Sequence, residues 1–162
     1  MKAQIWSTDF IASVIVFFLI FTTLMISWNY LNQKNAERMT MEEMETAALL
    51  VSDTLLRIPG FPENWNESTV QSLGLAMKEN VLNESKVKMF FSLDYEKIKE
   101  LLGLKESEFY LKITELNGSI IMLNGTYLEK GVYPENKSII VPVERYVLLN
   151  STIAKFSLVL YR

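Results

Sequence analysis

From Phe10 to Trp28 the chain reads FIASVIVFFLIFTTLMISW, nineteen positions without a charge. No other feature restricts the fold so severely. About 20 apolar residues, rising 1.5 Å each, cross roughly 30 Å of hydrocarbon. Lipid offers the backbone no hydrogen-bond partner, so a segment that enters it must be an unbroken helix. The short stretch before the run, and the polar residues after Trp28 with no small-residue cleavage pattern, do not make a conventional secretory signal. The segment is therefore expected to be retained and to span a membrane.

Composition narrows the chemistry. There is no Cys and no His, which removes disulfide frameworks, thiol nucleophiles, histidine bases and most zinc sites. Net charge is −3, with both signs spread along the polar part, so no basic footprint argues for nucleic acid. Glu96, Glu100, Glu106 and Glu108 lie near one another, but a charge run of this kind reads as a solvated face. No glycine-rich phosphate loop is present. Neither an enzyme, a metal site nor a cofactor is expected.

Ser7-Thr8-Asp9 stands at the start of the apolar run and admits two readings. In one, these side chains cap the helix and Asp9 favours the positive end of its dipole. In the other, Asp9 is an acid at the edge of a membrane span, where such groups take a partner; a neighbouring copy's N-terminal amine could supply it.

Beyond Trp28 no Gly or Pro interrupts the chain before Pro59. Met41, Met44, Ala48, Val51, Leu55 and Ile58 recur at alternating intervals of three and four, an apolar seam that needs a partner surface. Glu42, Glu43, Glu45, Asp53 and Arg57 occupy the other faces. The seam is expected to pack on its own domain, on sister subunits, or on both. Continuous with the span, about fifty residues would make a rod of roughly 75 Å.

Pro59-Gly60-Phe61-Pro62 then ends the helix, each proline disfavouring helix before it and Gly60 suited to a left-handed cap. Trp65 is expected to pack its loop against the head. Ser68 to Gly74 reads as a short helix, and Asp94 to Gly103 as a clearer one, capped by Asp94 and stopped by Gly103. From Phe109 the period changes to two: Phe109, Leu111 and Ile113 alternate with polar residues, as do Phe156, Leu158 and Leu160 later. Asn117-Gly118 and Asn124-Gly125 are hairpin signals around Ile120 to Leu123. Ile139 to Val141 with Val143 makes a further strand, with Pro142 marking an edge or a bulge. The fold class expected is α+β: a long N-terminal hydrophobic and amphipathic helix, with a small head of short helices and an antiparallel β-sheet packed on its C-terminal half.

Six asparagines, Asn66, Asn83, Asn117, Asn124, Asn136 and Asn150, begin N-glycosylation sequons. Ser and Thr make up about a seventh of the chain, so chance supplies roughly one or two sequons among eleven asparagines. All six follow the seam, mostly where turns are expected. They place the head outside the cell, carrying N-glycans, and the N-terminus inside, in agreement with Lys2 and the positive-inside rule.

Lys2-Ala3-Gln4, followed by Ser7, Asp9 and the long apolar helix, resembles the class III leader of archaeal type IV pilins. The resemblance implies that a prepilin peptidase cuts after Ala3, leaving Gln4 first. It also implies that Asp9, the sixth residue from Gln4 where the family has its acid near the fifth, pairs with a neighbour's amine and sets subunit register. GFPENW, GLA, VLNESKV, DYEKIKELLGL and EFYLKI, from Gly60 to Ile113, are similar to a head-domain pattern of euryarchaeal pilin-like proteins. The implied organisation is a leader over 1–3, a transmembrane and filament-core helix over 4–30, an amphipathic continuation over 31–59 and an extracellular head over 60–162. The implied partners are copies of the chain or related pilins, joined through their N-terminal helices. The alternative is a single-pass, glycosylated envelope protein whose head is a binding module.

Overall fold

The computed structural model describes residues 2–104 and 106–162, with side chains from Thr8 onward. The order of elements is a helix α1 (Lys2–Arg57), strands β1 (Ala76–Lys78) and β2 (Val81–Leu82), helices α2 (Glu84–Ser92) and α3 (Tyr95–Leu101), then strands β3 (Glu108–Thr114), β4 (Met122–Leu123), β5 (Thr126–Tyr127), β6 (Glu129–Gly131), β7 (Ile140–Leu149) and β8 (Thr152–Tyr161). The chain forms two compact units, residues 1–40 and residues 41–162. The class is α+β with a long N-terminal helix, as the sequence predicts.

Within the second unit a six-stranded sheet has the order β1-β2-β7-β8-β3-β6. Its pairs are antiparallel except β2 with β7, which meet in parallel at Val81 and Leu148. That parallel contact departs from the all-antiparallel expectation. It arises because the Asn80 carbonyl accepts from the Leu148 N–H at 2.8 Å, drawing a two-residue strand alongside β7. Phe109, Leu111, Ile113, Phe156, Leu158 and Leu160 are all fully buried, as the period-two reading expects, but the alternates Tyr110, Thr114, Ser157 and Val159 are buried as well, so these strands are not the half-buried ones expected. Met44, Ala48, Val51 and Leu55 of the helix, Phe90 of α2 and Ile98 of α3 join those first six in one core. On the opposite sheet face Tyr110, Val159 and Tyr161 form a smaller cluster.

Pro142 sits inside β7 opposite Val159 and does not interrupt it. Leu148 turns its N–H away from β8, toward Asn80. With a period of two, the missing N–H of Pro142 falls on that same side, where β2 no longer reaches. An open edge is where a strand tolerates proline, and the proline in turn discourages edge-to-edge pairing.

The seam is shorter than its six positions. Met44, Ala48, Val51 and Leu55 are buried, whereas Met41 is 47% and Ile58 is 42% exposed. Ile58 lies past the last helical residue, Arg57, because the proline that follows takes it out of helical conformation. Gly60 and Gly103 take positive φ at 81° and 73°, closing α1 and α3 as expected. The Asp94 carboxylate caps α3 by accepting from the N–H groups of Glu96 and Lys97.

The short helix expected over Ser68 to Gly74 does not form. The Asn66 side chain gathers the N–H groups of Ser68 and Thr69, as a cap would, but the chain makes only one turn. It then runs extended, with Ser72 bridged to Phe61. Gly74 is the reason: a Cβ there would lie 2.4 Å from the Ile58 carbonyl and 2.3 Å from the Gly60 nitrogen. This close approach of backbone to backbone needs extended chain. Trp65 completes the corner, 1% exposed. Its Nε1 donates to the carbonyls of Pro59 at 3.1 Å and Gly74 at 3.0 Å. The Lys86 ammonium donates to the same Pro59 carbonyl at 2.7 Å, and burial, opposed by Glu63, pushes it below its ordinary 10.5.

Candidate functional site: an uncovered apolar helix

The described residues of the first unit are helical from Lys2 on, and none of its described side chains is buried. Phe10, Phe17, Phe18, Leu19, Leu24, Ile26, Trp28 and Tyr30 are each more than half exposed. α1 is long and apolar enough to cross a membrane, and the most apolar part of it is 0% buried. Isolated exposed apolar residues are ordinary on a protein surface; nineteen consecutive positions are not. Such a surface is compatible with anchoring in a membrane.

Three of the four hydroxyls inside the run, all but that of Ser27, bond back to the helix. Ser13 donates to the Asp9 carbonyl at 2.8 Å, Thr22 to that of Phe18 at 2.6 Å and Thr23 to that of Leu19 at 2.8 Å. Back-bonding of this kind lets hydroxyls enter hydrocarbon without orphaned donors. Phe17 packs edge-on against Phe18 and stacks on Phe21, with centroids 5.7 and 6.1 Å apart. Trp28 and Tyr30, amphipathic rings at the end of the apolar run, are residue types that favour a membrane–water boundary.

The capping reading of Asp9 does not hold. α1 begins at Lys2, so Ser7, Thr8 and Asp9 lie inside the helix and do not cap it. The dipole effect is confined to the first turn, which contains no acid. Asp9 is exposed, and among the described residues no side chain bonds to its carboxylate. The leader residues Lys2, Ala3 and Gln4 lie outside the residues whose side chains the structure describes.

All six sequon asparagines lie outside helices and strands. Asn66, Asn117, Asn124, Asn136 and Asn150 are exposed. Asn124, Asn136 and Asn150 adopt positive φ of 48°, 57° and 51°, the left-handed turn conformation that asparagine tolerates. Asn83 differs. It is half-buried and caps α2, its side chain accepting from Ser85 and Lys86 N–H groups at 3.0 and 3.3 Å. Sequence reasoning passed over α2, although Asn83 followed by Val87, Phe90 and Phe91 is a cap with an apolar face behind it.

Of the four acids read as a solvated run, Glu96 and Glu100 are exposed, but Glu108 is half-buried and bonded. It accepts from Lys99 Nζ at 2.7 Å and from the Tyr95 hydroxyl at 2.8 Å. Glu106 pairs with Arg162. The Lys99 hydrogen bond, then that of Tyr95, holds the Glu108 carboxyl below its ordinary 4.5, and the same bond raises Lys99 above 10.5. Burial pushes the Tyr95 hydroxyl well above its ordinary 10.0. Burial, then the bond to Glu129, pushes Tyr110 up to about 12. A carboxyl lowered in the folded state adds stability that is full above its unfolded value and is lost as pH falls through the lowered one. The thermal midpoint of Glu108→Gln is therefore expected to lie below wild type at neutral pH. The gap should close in a titration that falls below 4.5. A gap constant across the titration would mean that the ionised Glu108 carboxyl adds nothing through this pair. The Glu108 side chain is 44% exposed, so screening keeps the effect modest.

The arrangement thus offers an apolar helix with an exposed acid near its start, and a head whose turns present asparagine side chains. Comparison with protein-family models, with curated proteins and with solved structures finds no match for this chain.

Proposed function

We propose that this chain is a structural subunit of an extracellular type IV pilus-like filament. It waits in the membrane as a single-span precursor and polymerises through its N-terminal apolar helix. One observation carries the reading: the run from Phe10 to Trp28 is helical and entirely uncovered within its own chain. A surface of that size must find lipid or other copies of itself. An acid whose carboxylate has no side-chain partner among the described residues sits near the start of the run, as an intersubunit pairing with a free amine requires. The folded head supplies the outer surface, and exposed sequons in its turns suit N-glycans facing outward. Prepilin peptidase, related pilin subunits and the membrane are the partners of this cycle; adhesion is the role such a surface filament would serve.

A second reading is a permanently anchored envelope protein with a binding head. It is favoured by the back-bonded Ser13, Thr22 and Thr23, whose hydroxyls need no protein partner in lipid. The N-terminus and physical state of the native molecule separate the two. Processing after Ala3 and recovery in filaments support the first. An intact Met1 on a lipid-bound chain supports the second.

A further inference from the structure

We propose that Asn124 is a site of spontaneous deamidation, and that Asn117, though part of the same Asn-Gly dipeptide, is held against it. In this reaction the backbone nitrogen of the following glycine attacks the asparagine Cγ. The side-chain nitrogen leaves as ammonia and a five-membered succinimide closes. Water then opens the ring to aspartate or isoaspartate. No oxidant or cofactor enters, and asparagine is among the residues that heat degrades this way.

Steric access is equal at the two sites. Both asparagines are exposed, and a Cβ added to Gly118 or Gly125 would meet nothing within 4 Å. Hydrogen bonding is not equal. At the first site the attacking nitrogen, that of Gly118, donates to the Glu115 carbonyl at 3.0 Å. The leaving nitrogen, Nδ2 of Asn117, donates to the Glu115 carboxylate at 2.9 Å, and Oδ1 accepts from Ser119 N–H at 2.8 Å. Glu115 N–H to Ser119 carbonyl, 2.9 Å, closes the turn around them. Nucleophile and electrophile are thus each held by hydrogen bonds that ring closure must break.

At the second site, among the described residues, neither the Asn124 side chain nor the Gly125 N–H is held by a hydrogen bond. Asn124 and Gly125 form a left-handed pair, φ 48° and 86°, between β4 and β5, which are two residues each and pair only with one another. The hairpin is bonded to β3 at its base, where Ile121 and Leu128 meet Ile113, so its tip can open locally, and ring closure needs only that local opening. One consequence rests on the glycan-acceptor reading above. Each Asn-Gly is also a sequon, so conversion of Asn124 destroys its acceptor, while a sugar on Nδ2 would shield the amide and preserve it.

The test uses the full chain made in a non-glycosylating host, held in detergent at mildly alkaline pH and followed by peptide mass mapping. Asn124 is expected to convert about three- to tenfold faster than Asn117, the weight of breaking one or two of the three hydrogen bonds that hold the reacting groups only at Asn117. Gly125→Ala should slow Asn124 and leave Asn117 unchanged. Equal rates, or faster conversion of Asn117, would overturn the proposal. So would an Asn124 that stays intact while an unstructured peptide of the same sequence converts. Because the assayed protein carries no sugar, a native Asn124 found without glycan would refute the acceptor reading and leave these rates as they are.

Discussion

An Asp9→Ala variant is expected to yield no filaments, while its precursor still inserts in the membrane with a folded head. The reasoning is energetic. A carboxylate at the centre of a bilayer costs roughly 2.5–3.5 kcal/mol, less near the edge, and nothing in the described chain offsets it. Paired with a neighbour's amine, the same group returns roughly 1.5–3 kcal/mol as a charge-assisted hydrogen bond, repeated at every subunit. Removing the acid makes the isolated span easier to insert and the assembled state harder to reach. Asp9→Asn, which keeps the shape and loses the charge, should fail in the same way. Electron microscopy of cells producing each variant, with membrane fractions blotted for the precursor, reads both halves of the prediction. Normal filaments from Asp9→Ala would mean that Asp9 has no part in assembly.

Trp65→Ala is expected to have the largest effect on the head. The indole is 1% exposed, and its Nε1 serves two backbone carbonyls across the corner where the long helix ends. Truncating a buried Trp costs about 3–5 kcal/mol in transfer and cavity terms, a large part of the 5–15 kcal/mol that holds a domain together. Thermal unfolding of the variant should fall by roughly 10–20 °C. Trp65→Phe, which keeps most of the ring and loses both donors, should fall by less. A Trp65→Ala midpoint within a few degrees of wild type would mean that Lys86, which bonds the same Pro59 carbonyl, holds the corner alone.

How far the chain could be read in advance depended on where its constraints lie. Local chemistry was legible. The breaker-free stretch to Arg57, the Asp94 cap, the burial of Phe109, Leu111 and Ile113, and the turn at Asn124-Gly125 all follow from near neighbours. What stayed hidden was decided at a distance. Ser68 to Gly74 carries helix-compatible residues, yet Gly74 must lie against Ile58 and Gly60, and contact between segments overrides propensity. Strands β1 and β2 are too short to show a period; the bonds of Asn80 to Leu148 and of Asn83 to Leu75 define them. The Phe90-Phe91 pair suits strand or helix equally, and the side-chain cap at Asn83 decides for helix. Asp9 was misjudged as a possible cap because the apolar run suggests a helix starting at Phe10, whereas the helix starts at Lys2. The candidate site itself, nineteen uncharged residues, was legible in full.

Shearing filaments from cells that make this protein, and determining by mass the N-terminus of each subunit in them, tests the central claim most directly. The account predicts this chain in the filament fraction, beginning at Gln4. Finding it solely in washed membranes, with Met1 to Ala3 still attached, would contradict it.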